Sequence, residues 1–81
     1  MIPRGSYKTD DKIKFDVALG RSLRKVRKQQ KVTQLKLSKL IGIDEKQVSR
    51  YEYGDCGLSV HRLNVICKAL GVNISEVINN I

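Results

Sequence analysis

Hydrophobic positions recur every three or four residues from Leu19 to the end of the chain, and polar or glycine breaks divide them into five blocks. Leu19, Leu23 and Val26 stand at i, i+4, i+7 and predict a first helix over about Asp16–Gln30. Leu37, Leu40 and Ile41 predict an inward stripe on a second helix over about Gln34–Ile41, with Thr33 as its cap. Lys36 stands where a capping-box carboxylate would, so that cap acts alone. Val48 and Tyr51 mark a third helix over about Glu45–Tyr53, opened by Asp44 and closed by Gly54 in the left-handed conformation. A fourth, Val60–Leu70, has the cleanest amphipathic stripe in Leu63, Ile66, Cys67 and Leu70, between Ser59 as cap and Gly71 as stop. Asn73 with Glu76 opens a short fifth helix ending near Asn79. No stretch alternates as a strand would, so the pattern predicts an all-α, compact five-helix domain over residues 14–81.

Between the second and third helices only Gly42, Ile43 and Asp44 intervene. Helices joined so tightly cross steeply, which leaves the outer face of the third free to enter a groove. That face carries Glu45, Lys46, Gln47, Ser49 and Arg50, side chains suited to base edges. The segment Thr33–Gly54 therefore reads as a DNA-binding helix-turn-helix.

Charge strengthens this reading. The formal net charge is +8, and residues 1–40 hold twelve Lys/Arg against three Asp, whereas residues 41–81 hold four against five acids. A basic half implies a polyanion partner, and the first helix supplies Arg21, Arg24, Lys25, Arg27, Lys28 and Lys31 to it. Residues 1–13, with Pro3, Gly5 and Ser6, have no sustained period and read as a flexible arm. Within it, Ile2-Pro3-Arg4-Gly5-Ser6 looks like a protease-site linker left by recombinant expression and carries no functional weight; the alternative, if it is native, is that Arg4, Lys8, Lys12 and Lys14 follow the DNA backbone.

Other chemistry is sparse. No apolar run is long enough to span a bilayer, and the start lacks a secretory-signal layout. Cys56 and Cys67 then imply reduced thiols and a cytoplasmic setting. Cys56, His61 and Cys67 fit no usual zinc spacing, so no metal and no cofactor is expected. His61 is the only histidine and has no aligned nucleophile, which argues against an enzyme. Single-strand readers use a platform of exposed aromatics, which the sequence lacks, so double-stranded DNA is preferred to RNA.

Taken together, Leu19-Gly20, Leu23, Arg27, Thr33-Gln34, Leu37, Gly42-Ile43, Val48-Ser49-Arg50-Tyr51-Glu52, Gly54 and Leu70-Gly71-Val72 make the chain resemble the Cro/repressor (Xre-type) helix-turn-helix family of bacteria and phages. The resemblance implies a lambda-repressor-like fold whose third helix lies in the major groove, in a homodimeric transcriptional repressor reading an inverted repeat. It implies base reading by Glu45, Lys46, Gln47 and Arg50: Arg50 or Lys46 toward guanine, Gln47 toward adenine, Glu45 toward cytosine. Gln34 matches a phosphate-binding position at a helix start, with Thr33, Lys36 and Ser49 as further phosphate candidates. Arg27 and Glu52 match a salt bridge that ties the first helix to the third.

The chain departs from the family pattern at Ser38, Leu35 and Leu58, and its loop from Asp55 to Leu58 has no Lys or Arg where relatives often place phosphate-binding cations. Ile74, Val77, Ile78 and Ile81 crowd the C-terminal end and suggest a subunit contact. With no room here for a separate sensor domain, control is expected from concentration, a partner or proteolysis. The alternative reading is an antitoxin that binds a toxin protein and represses its own operon.

Overall fold

The computed structural model describes residues 9–81, with side-chain surroundings from residue 11 onward. Five helices follow in order: α1 (Thr9–Gln29), α2 (Gln34–Ile41), α3 (Glu45–Tyr53), α4 (Val60–Leu70) and α5 (Ile74–Ile78). Helix α1 packs on α3 and α5, α2 on α3 and α4, and α4 on α5. Leu19, Leu23 and Val26 meet Leu37, Val48, Leu63, Ile66, Cys67, Leu70 and Val77 in one core. The Ser22 hydroxyl donates to the Val77 carbonyl at 2.5 Å, a polar tie within the buried α1–α5 contact.

Each short helix starts and stops for a local reason. Thr33, Asp44 and Ser59 accept from the backbone N–H groups of Lys36, Lys46 and Arg62 at 3.0, 3.1 and 3.0 Å. Gly42, Gly54 and Gly71 then close α2, α3 and α4 at φ of 72°, 75° and 71°. The Asn73 N–H donates to Glu76 Oε2 at 2.8 Å at the start of α5. Helix α1 ends differently: Lys31 takes the left-handed position itself, at φ 59°.

Two expectations need correction. Helix α1 begins at Thr9, not Asp16, so residues 9–13 are helical rather than part of an arm; residues 1–8 of that arm lie outside the described residues. Ile13 and Phe15 in this added length are half-exposed, so no apolar stripe announced it. It is held by helix propagation and by the Lys12–Asp16 pair at 2.8 Å. Leu40 points outward, 51% exposed, while Ser38 takes the buried place beside Leu37. Wedged between α3 and α4, α2 has room there only for a small side chain, whose hydroxyl donates back to the Leu35 carbonyl at 2.6 Å.

Among the described residues no helix is long and apolar enough to cross a membrane, and no group of three His, Cys, Asp or Glu could hold a metal ion.

Candidate nucleic-acid interface

The angle of α3 is set by two glycines and one buried ion pair. At Gly20, α1 lies so close to α3 that an added Cβ would stand 2.5 Å from the Glu52 carbonyl oxygen. At Gly54 an added Cβ would stand 2.7 Å from the Val17 backbone. Between these contacts, Arg27 Nε donates to Glu52 Oε2 at 2.6 Å and Nη2 to Oε1 at 3.0 Å, a two-pronged pair with both residues buried. Arg27 Nη1 also donates to the Val32 carbonyl at 2.6 Å, which ties the α1–α2 turn to the same pair. The positive charge of Arg27 is thus spent inside the fold; the basic face of α1 consists of the exposed Arg21, Arg24, Lys25 and Lys28.

With α3 fixed in this way, its outward residues are Glu45, Lys46 and Arg50, all exposed, with Ser49 half-buried beside them. Gln47 is turned differently. It is half-buried, and its Nε2 donates to Cys56 Sγ at 3.3 Å in the α3–α4 loop. The structure therefore groups three of the four expected base readers on the free face and engages the fourth with the loop.

Of the expected phosphate residues, Thr33 and Lys36 are exposed at the start of α2, where the Thr33 hydroxyl already serves as cap. Gln34 is half-buried and donates through Nε2 to Glu52 Oε1 at 3.0 Å. The buried pair thus reaches a third side chain at a helix N-terminus. Gln34, Arg27 and Glu52 line one side of a shallow cleft of about 240 Å³. Its lining also includes Arg24, already counted in the basic face of α1, and Tyr53, to which the sequence reading assigned no role. Their signal was present: Arg24 lies one turn before Arg27, and Tyr53 lies one turn after Arg50 on the same side of α3. Tyr53 and Phe15 are also exposed aromatics, and they stand on separate helices, α3 and α1.

Two residues considered for other chemistry are placed plainly. His61 is exposed at the start of α4. Cys67 lies in the core, and burial, followed by the nearby Glu76 carboxylate, pushes its thiol up and away from the reactive thiolate.

Comparison with known proteins agrees with this geometry. The model of the Cro/C1-type HTH DNA-binding domain matches residues 22–81. The Streptococcus pneumoniae antitoxin PezA is 28% identical over 60 residues, 74% of this chain; the match spans only 38% of that protein's length. The Corynebacterium glutamicum clp gene regulator ClgR superposes with a TM-score of 0.78 at 29% identity, covering 80% of this chain and 84% of that one. The Aeromonas hydrophila restriction-modification controller protein C.AhdI gives a TM-score of 0.74 at 26% identity, over 79% of this chain and 97% of its own.

Proposed function

Because this chain belongs to the Cro/C1-type helix-turn-helix DNA-binding domain family, we propose that it is a sequence-specific regulator of transcription that places α3 in the major groove of duplex DNA. The observation that carries this reading is the free face of α3. Glu45, Lys46 and Arg50 are exposed together on a helix whose opposite side is locked to α1 by Arg27 and Glu52. Arg50 and Lys46 donate to guanine edges and Glu45 accepts from cytosine; Gln47, held by Cys56, reads adenine only after leaving that contact. Gln34, together with Thr33, Lys36 and Ser49, takes the flanking phosphates. Its second amide N–H stays available while the first holds Glu52.

A regulator of this size works most simply as a homodimer on an inverted repeat, in the cytoplasm of a bacterium or of a phage-infected cell. The similarity to a clp gene regulator and to a restriction-modification controller supports a regulatory, non-enzymatic role. Selection from random duplexes at near-physiological salt tests the reading. Enrichment of an inverted repeat with half-sites about 34 Å apart is expected; absence of any enriched sequence would overturn it.

The similarity to antitoxin PezA favours one second reading, in which the chain also binds a toxin protein. A match of 60 residues on this 81-residue chain is long enough to take in the helix-turn-helix, so it supports DNA binding first. Co-purification of a stable protein partner from the native host, lost on mutation of the exposed Ile78 and Ile81, would raise it above the first.

A further inference from the structure

The chain between Gly54 and α4 has no cation of its own: Asp55, Cys56, Gly57 and Leu58 carry one negative charge. Yet this loop leaves the end of the recognition helix. A helix of nine residues is about 13 Å long, comparable with a major groove about 12 Å wide, so the chain leaving its end passes a sugar–phosphate wall. An acidic loop at that point would repel the duplex.

The first turns of α1 bring an ammonium there. Lys12 extends over the loop so that a Cβ added to Gly57 would stand 3.1 Å from its Nζ. Asp16 holds that ammonium at 2.8 Å from one turn further along α1, while the Lys12 side chain stays 67% exposed. An ammonium has three N–H donors, and Asp16 Oδ2 takes one of them.

From this placement we infer that Lys12 is a phosphate-contacting residue, delivered by the N-terminal extension of α1 to the exit of the recognition helix. The inference rests on the duplex-binding reading above. Lys12 acts as a point charge on the backbone, carrying no base preference. Asp16 positions it, and the loop needs no cation of its own.

Duplex binding of the full chain, followed by fluorescence anisotropy across a salt series, tests this. The probes are a selected operator and a scrambled duplex of equal length. For Lys12→Gln, the plot of log affinity against log salt becomes shallower by about 0.9 on both duplexes. Lys12→Arg restores the wild-type slope, because the charge rather than the amine is required. An unchanged slope for Lys12→Gln would overturn the inference, as would a loss confined to the operator. Wild-type protein that shows no salt-dependent affinity for either duplex would remove the duplex-binding reading, and the inference with it.

Discussion

Gly20 is where a single methyl group decides whether α3 keeps its seat. Replacing a mid-helix glycine with alanine ordinarily gains about 0.5–1 kcal/mol by restricting the unfolded chain. Here the new Cβ would meet the backbone of α3 at Glu52, and backbone yields only if the helices part. Overpacking of this kind costs about 1–3 kcal/mol, so Gly20→Ala is expected to be destabilising on balance. Thermal unfolding should show a fall of several degrees; a rise would mean that α1 slides without penalty. The pair beside it sets a second test. Arg27→Met strands a buried carboxylate, because Glu52 keeps only the Gln34 amide as partner. The expected loss is about 3–5 kcal/mol, largely recovered when Glu52→Leu is added. Urea midpoints of the single and double variants measure this, and equal losses in both would show that the bridge, not the stranded charge, carries the stability. Both residues were legible in the sequence through the family resemblance, whose α1–α3 salt bridge Arg27 and Glu52 match. The dual use of Gln34 was not, because a hydrogen bond across eighteen positions of sequence leaves no local pattern.

Helix boundaries show where local chemistry suffices and where it fails. The bounds of α2, α3 and α4 follow from a capping side chain at one end and a glycine at the other, and both signals are short-range. The described residues of the first turns of α1, 11–15, bury no apolar face, so periodicity placed its beginning seven residues too late. Its end carries a testable strain. Lys31 adopts φ 59°, a conformation that penalises a side chain with a Cβ by about 1–2 kcal/mol. Lys31→Gly should therefore raise stability by about 1 kcal/mol, read as a higher urea midpoint at unchanged slope. No gain would mean that the exposed lysine offsets the strain through the helix dipole. Recognition divides by element in the same way. On the proposed roles, Arg50→Ala relaxes base preference at one operator position, by about 1–3 kcal/mol of discrimination. Gln34→Ala, at the start of α2, weakens all duplexes alike. Competition binding against a panel of single-base operator variants separates these outcomes, and the assignment of Arg50 fails if every variant is weakened equally.

At the scale of the whole molecule, the proposed inverted-repeat reading requires two copies to meet, and the apolar C-terminal end is the surface proposed for that contact. Helix α5 turns Val77 into the core and receives the Ser22 bond, so its inner side is already used. Ile78 and Ile81 face outward, 44% and 48% exposed, with Ile74 half-buried beside them. Such a patch is small: a stable protein interface buries roughly 1,200–2,000 Å² in total, far more than a few isoleucine side chains supply. A contact built on α5 alone should therefore be weak in free protein and become significant when adjacent half-sites hold two copies close together, raising their effective concentration. Ile78→Lys combined with Ile81→Lys tests this, because exposed positions away from the core change folding stability by no more than about 0.5 kcal/mol. The doubly substituted protein should bind an isolated half-site with wild-type affinity and lose cooperativity on the full inverted repeat. Binding isotherms on both duplexes, with sedimentation of the free proteins, give the comparison. Cooperativity that survives the two lysines would place the subunit contact elsewhere, with the exposed Val60 at the start of α4 as the next apolar side chain to examine.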